Sequence, residues 1–450
     1  MLLTFVWILG KTITYGAWLP VYFCKHTKKS RLKNLARLVI LILVCAGCKS
    51  ATTDKKIAED SLLYIPPIPK EIDKAAFQDL YNRISIFYDT ALLQKGFNGG
   101  LIIAQKGNII FEKYQGKIDF RKDSLNNLIS DSTPLHIAST SKTFTGVAIM
   151  RLAQEGKLSL NDSVTKFFPA FPYKDVTVQS LLNHRSGLPN YLYFISNSNW
   201  DKNKLLTNED MLQFMVANKP DVSYPANTHF SYCNTNYVLL AMIIEKVTGK
   251  TFPAYMQSKY FGPLQMKHSY VFTVKDTAIA NMSFNKKGSL WDYDCMDGTY
   301  GDKNIYTTPR DLLKWDQALY TDQLLNKQML DSSFKGYSNE RPSIHNYGLG
   351  WRLQFLPNGK RIVYHFGKWH GFNAAFARLI DEEATIIILG NKFNKTIYGS
   401  AQLGYDIFGA YFQTKIMNDE PGSDSLQTQM PGREPEVQEK KKEAKLKKRK

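Results

Sequence analysis

The sequence predicts an α/β fold: one antiparallel sheet built from both ends of the domain, flanked by helices, with a mainly helical subdomain inserted. Three observations predict it. Residues 99–114 have the pattern of a β-hairpin. Residues 347–389 hold four consecutive strand-like segments. Between them, from about Lys157 to Leu290, the signals are mostly helices and long loops.

In chain order, Glu71 to Gln94 places Ala76, Phe77, Leu80, Ile84, Phe87, Tyr88 and Leu92 on one side of an amphipathic helix. Gly99–Gln105 and Ile109–Tyr114 are the hairpin strands, joined through Lys106-Gly107-Asn108. Phe144, Val147, Ala148 and Leu152 recur at core-facing helical spacing, and that helix ends near Glu155-Gly156. Asn234 to Gly249 is a strong apolar helix with Gly249 as its stop, and Thr308 to Tyr320 is another. Tyr347–Phe355, Arg361–Phe366, Phe372–Ile380 and Ala384–Leu389 read as strands, and Thr396 to Phe412 as a closing helix. There is no internal repeat.

Composition excludes one function class. The net charge of +18 suggests nucleic-acid binding until it is located. Residues 1–50 hold eight Lys/Arg and no acid, and residues 440–450 hold eight Lys/Arg and one Glu, so +15 sits in the two ends. The folded region is nearly neutral, and no nucleic-acid partner is expected. Of five cysteines, only Cys233 and Cys295 fall in the globular region, so a disulfide framework is not expected.

Before that region, residues 25–37 are basic, Leu38–Ala46 is a short apolar run, and Gly47-Cys48 follows, the layout of a secretory signal. Ala46-Gly47-Cys48 resembles a bacterial lipoprotein lipobox, with Cys48 as the lipidated residue, although Cys45 stands where that pattern prefers Leu. Residues 1–24 are apolar with Lys11 among them, an upstream extension or a first membrane segment. The expected organisation is a leader at 1–48, a Pro-containing tether at 49–74, one domain at 75–417, and a disordered charged tail at 418–450. The expected location is the bacterial cell envelope, held to the membrane through the lipid anchor.

Three motifs carry chemistry. Ser139-Thr-Ser-Lys142 puts a hydroxyl and an amine three residues apart on one helix face, a layout for a nucleophile and its base. The helix N-terminus favours an anion forming near Ser139. Tyr232-Cys233-Asn234 lies in a polar loop before a helix; it can offer a phenol and an amide, or serve as a cap with a packed aromatic. His365-Phe366-Gly367 joins two strands, where a glycine lets another backbone approach; a plain hairpin with a core histidine has the same pattern.

Ser-x-x-Lys, Tyr-x-Asn and His-x-Gly, in this order, resemble the serine β-lactamase and penicillin-binding protein superfamily. The resemblance is closest to its class C β-lactamase-related branch, which includes D-amino-acid peptidases and esterases. It covers roughly residues 75–415, and Leu181-Leu-Asn-His-Arg-Ser-Gly-Leu-Pro189 is similar too. It implies the β-lactamase-like fold and a serine hydrolase working through an acyl-enzyme on Ser139, with Lys142 and Tyr232 as base. Asn234 would orient Lys142 and bind substrate. His365, Gly367 and Lys368 would line the substrate strand, with the backbone N–H groups of Ser139 and Lys368 as oxyanion hole. For either base to work near neutral pH, a nearby cation would help; partial burial would help the lysine alone.

His365 stands where the classical enzymes carry lysine. A mostly neutral imidazole weakens recognition of a substrate carboxylate. Phe366, Trp369, Phe372, Tyr191, Tyr193 and Phe194 suggest an apolar cleft. The expected substrate is therefore an ester, amide or D-peptide. A DD-peptidase or weak class C-type β-lactamase is the alternative, and a non-catalytic envelope sensor the second. No cofactor is implied. His365 and His370 lack ligands at zinc spacing, so no metal is expected. Val247-Thr-Gly-Lys-Thr251 lacks the first glycine of a phosphate loop.

Overall fold

The computed structural model describes residues 69–413. The leader, Cys48, most of the tether and the charged tail lie outside them. No helix among the described residues is long and apolar enough to cross a membrane.

Asp73 opens α1 (Lys74–Phe87) by accepting from the amides of Ala75 and Ala76. The helix starts three residues later than its periodicity implied, and wider and tighter turns carry the chain on to Gly96. Strands β1 (Gly99–Gln105) and β2 (Asn108–Gln115) form the expected hairpin. After β3 (Leu135–His136), helix α2 (Ser141–Gln154) begins. The middle supplies α3 (Val164–Phe167), α4 (Val178–Leu182), α5 (Tyr191–Ser196), α6 (Asn208–Asn218), α7 (Asn234–Thr248) and α8 (Phe252–Met256).

The middle is less purely helical than its sequence suggests. Short strands β4 (Tyr270–Val271), β5 (Ser283–Phe284), β6 (Leu290–Trp291) and β7 (Ile305–Thr307) interrupt it. β7 pairs with both β3 and β4, and β5 with β6. Two- and three-residue strands are too short to show an alternation. Helices α9 (Pro309–Ala318) and α10 (Lys327–Ser333) follow.

The segment expected as one strand, 347–355, is two: β8 (His345–Tyr347) and β9 (Arg352–Phe355), paired antiparallel. The chain reverses through Gly348-Leu-Gly-Trp351, and Gly350 takes φ +96°, a conformation that a side chain would resist. Strands β10 (Arg361–Trp369), β11 (Phe372–Leu379) and β12 (Ala384–Gly390) match expectation, β10 running three residues further. Helix α11 (Thr396–Tyr405) stops short of Phe412.

The main sheet has seven strands in the order β2-β1-β12-β11-β10-β9-β8, each neighbouring pair antiparallel. Its two halves meet where β1 pairs with β12, from Gly99 opposite Gly390 to Gln105 opposite Ala384. Alternate residues of β1 enter different cores. Ile102 and Ala104 join the core that holds α2 and α7, while Leu101 and Ile103 join the one under α1 and α11. Helices therefore cover both faces, which explains why β11 and β12 are buried along their whole length. At about 1.5–3 kcal/mol per fully buried large apolar side chain, these two layers are the main stabilising term.

Candidate active site

Ser139 lies in a tight turn, Ala138–Thr140, immediately before α2, and not in the first α-turn itself. Two contacts set that turn. The Ala138 N–H donates to His136 Nδ1 at 3.1 Å, and the Thr140 N–H to the Ile137 carbonyl at 3.0 Å. Ala138 takes φ +48°, an uncommon conformation for a residue with a Cβ. Burial pushes His136 down to about 4, so the ring is neutral and can accept at Nδ1.

Lys142 follows on α2 with no exposed surface. Its Nζ lies 3.2 Å from Ser139 Oγ, 2.7 Å from Asn234 Oδ1 and 2.8 Å from the Asp302 carbonyl. An ammonium has three donors, and all three are directed here. The expected i, i+3 contact is thus present, and Asn234, the first residue of α7, holds Lys142 from the second motif. Ser141 does different work: its Oγ accepts from the Ile305 N–H at 3.1 Å and ties α2 to β7.

Tyr232 presents its ring to the same amine, with Lys142 Nζ 5.1 Å from the ring centroid. Its buried hydroxyl has no hydrogen-bond partner, so it is not bonded to Ser139 or Lys142 in this state. The ring rests on His184, at 4.4 Å between centroids. His184 Nδ1 in turn accepts from the Cys233 N–H at 3.2 Å, and Ser186 Oγ donates to Asn236 Oδ1 at 2.7 Å. The His184–Ser186 segment is therefore the shelf beneath the Tyr232 loop. Cys233 is a packed thiol that donates to the Leu188 carbonyl, and burial pushes it up to about 11.

Strand β10 forms the opposite wall. A Cβ on Gly367 would stand 2.2 Å from the Ile137 carbonyl oxygen and 3.0 Å from the Ser139 nitrogen. Glycine lets the strand lie flush against the serine turn, and Lys368 is the next residue along it. Tyr398 of α11 donates to the Gly367 carbonyl at 2.9 Å and fixes the strand from behind.

His365 differs from expectation. It has no exposed surface, its Nδ1 donates to the Phe366 carbonyl at 2.8 Å, and its Nε2 lies 3.2 Å from Tyr347 Oη. Both ring nitrogens are occupied, so the ring is not available to bind a substrate directly in this arrangement. Burial, with Arg352 and Lys142 nearby, holds it neutral, well below the usual histidine range. Phe366 points to the other face of the sheet and packs on Tyr398 and Tyr364. Tyr191 and Phe372 are buried. The apolar cleft drawn from these aromatics is mostly core.

Three groups were missed by sequence reasoning. Asp302 acts through its carbonyl, which no side-chain pattern reports. Lys303, beside it, is buried at 2% exposure. Arg352 lies on β9 with its guanidinium carbon 5.0 Å from the Tyr232 ring centroid, and among the described residues no carboxylate pairs with it. The only available signal was a basic residue inside a strand-like run. His370 is likewise better furnished than its spacing implied: Asp294 and Asp297 bring carboxylates close to it. Asp297 is already engaged, by His370 Nε2 at 2.9 Å, Trp369 Nε1 at 2.6 Å and the Asp294 N–H at 2.6 Å. This reads as a buried ion pair, and Asp297 accordingly raises His370.

Fold and site together fit the serine hydrolases that include penicillin-binding proteins, D-amino acid amidases and class C β-lactamases. This chain belongs to the beta-lactamase family, whose model matches residues 88–402. It is 30% identical over 343 residues to "Penicillin-binding protein 4*" of Bacillus subtilis (strain 168), covering 72% of this chain and 75% of that one. Its fold is similar to a penicillin-binding protein from Bacillus halodurans (TM-score 0.62, 22% identity, 71% of this chain and 98% of that one). It is also similar to the D-amino acid amidase of Ochrobactrum anthropi SV3 (TM-score 0.58, 24% identity, 76% and 99%).

Proposed function

We propose that this enzyme cleaves an ester, amide or D-peptide bond through an acyl-enzyme on Ser139. The observation that carries the reading is the triple engagement of Lys142. In its neutral form the amine has two N–H donors and one lone pair. Asn234 Oδ1 and the Asp302 carbonyl accept only, so they take the two donors. The lone pair then faces Ser139 Oγ, 3.2 Å away, and can receive its proton as the serine attacks. Tyr232, beside Lys142, would carry the proton to the leaving group and later activate water. The N–H groups of Ser139 and Lys368 would hold the oxyanion; removing one such donor costs about 3 kcal/mol of barrier.

Arg352 favours a substrate with a free carboxylate on the leaving-group side, as a DD-carboxypeptidase requires. A guanidinium over the Tyr232 ring, with no acid partner among the described residues, can bind one bidentately. The relatives called penicillin-binding proteins support the same reading. From the leader sequence, we further propose export and lipid anchoring at Cys48.

The test treats the full-length protein and Ser139→Ala with a fluorophosphonate probe, and assays acyl-D-dipeptides against the same peptides with the C-terminal carboxylate amidated. Labelling and turnover are expected only with Ser139, and Arg352→Gln is expected to lower kcat/KM about 10- to 100-fold for the free acid alone. A wild-type protein that takes up no label and hydrolyses no ester, amide or D-peptide rejects the enzyme reading. Equal loss on both peptides rejects the carboxylate assignment.

A further inference from the structure

Beneath Lys142 lies a second buried lysine. Lys303 Nζ donates to Tyr191 Oη at 2.6 Å and to Thr299 Oγ1 at 2.5 Å, and lies 4.8 Å from the Trp369 ring centroid. Its acid neighbour is Asp302, 3.7 Å from carboxylate to ammonium. That carboxylate accepts from Tyr191 Oη at 3.0 Å through one oxygen, while the other has no hydrogen bond. Burying such a pair costs several kcal/mol per ion unless the geometry offsets it. This pair is loose, and the Tyr191 and Thr299 oxygens, not the carboxylate, accept the lysine's hydrogen bonds.

Its position gives it a use. Asp302 is the residue whose carbonyl receives Lys142 Nζ. Lys303 and Lys142 are also close enough to repel one another. We propose that Lys303 is a positioning residue for Lys142: clamped between Thr299, Tyr191 and Trp369, it holds the Asp302 carbonyl on the amine, and its charge disfavours a second cation there. The inference rests on the acyl-enzyme reading above.

Around Lys142 are the Tyr232 and Tyr237 rings, Cys233, the neutral His184 and His365, and Arg352, which lies over the same Tyr232 ring and is left unchanged in every variant below. Around Lys303 are Asp302, the Asp297–His370 pair, Asp294 and neutral His136. Lys303 and Asp302 are thus the charged pair joined to Lys142 through the Asp302 carbonyl. Removing Lys303 both deletes a repulsion and leaves an unpaired carboxylate, so the two effects act in one direction. Removing the Asp302 charge acts in the other.

The experiment measures the rate of Ser139 labelling by a fluorophosphonate against pH, in the full-length protein. Lys303→Met is expected to move the acid limb of the profile upward by about one pH unit or more, and Asp302→Asn to move it downward. The double variant, a neutral pair of similar size, is expected to return near the wild-type limb. Should Lys303→Met fail to fold, Asp302→Asn against the double variant carries the same comparison. Limbs that coincide, or single variants that shift the same way, overturn the proposal while leaving Ser139 as nucleophile. A wild-type protein that Ser139 labelling never marks overturns the acyl-enzyme reading, and this inference with it.

Discussion

Gly367→Ala tests the packing of β10 against the serine turn. The added Cβ would sit 2.2 Å from the Ile137 carbonyl oxygen. Ordinary contact begins near 3.4 Å, so strand and turn must separate by about 1.2 Å. Both obstacles are backbone, at Ile137 and Ser139, and the Tyr398 hydrogen bond behind the strand opposes its retreat. A misplacement of about 1 Å in a reacting site costs on the order of 100-fold in rate. The variant is therefore expected to stay folded, because the strand keeps its register with β11, and to lose about 100-fold in kcat/KM for any ester or amide the wild type cleaves. The assay pairs that rate with thermal unfolding. A rate within about threefold of wild type at an unchanged Tm would refute the close approach as a requirement of the site.

Other outcomes follow from single contacts. Ser141→Ala removes the acceptor of a buried N–H, and is expected to cost about 1–3 kcal/mol in urea unfolding while fluorophosphonate labelling persists. His365→Lys would put an ammonium in a fully buried site near Arg352 and Lys142; it is expected to lower Tm and leave β-lactam turnover unimproved, and a rise in turnover would return the carboxylate role to this position. Stability is expected to fall as pH drops. His136 goes from 6.5 when unfolded to about 4 when folded, so the unfolded chain binds the extra proton between those values. That costs about 2 kcal/mol by roughly pH 5, with His184 and His365 acting in the same direction and His370, raised by Asp297, opposing. Urea midpoints measured on either side of this window check the sign.

Long elements were legible in the sequence as sustained apolar or amphipathic runs bounded by turn residues: the β1–β2 hairpin, α2, α7 and the β10–β12 strands. The β8–β9 reversal was not, because Gly348-Leu-Gly-Trp sits inside an apolar run, and only the packing of Gly350 against α2 reveals the turn. In the site, Ser139, Lys142 and Asn234 come together as expected, since Ser139 immediately precedes the helix that carries Lys142 and Asn234 starts another. Tyr232 is adjacent, with its hydroxyl still unpartnered. What stayed hidden is what acts through backbone or arrives from distant strands. The Asp302 carbonyl has no side-chain signature. Arg352 reaches Tyr232 across 120 positions of sequence. The orientation of His365 depended on Tyr347, which the supposed single strand had concealed.

The seam between β1 and β12 also dictates an order of events during synthesis. Gly99 must wait for Gly390, and Ser139 for the wall that Gly367 provides, before either is in its final place. Contacts so distant along the chain form late and slowly. A nascent chain that has already released Ser139 and Lys142 from the ribosome still lacks the strand that completes the site. The candidate site is thereby completed only after β10 has emerged, and a chain truncated before β10 would carry the serine turn without its facing wall.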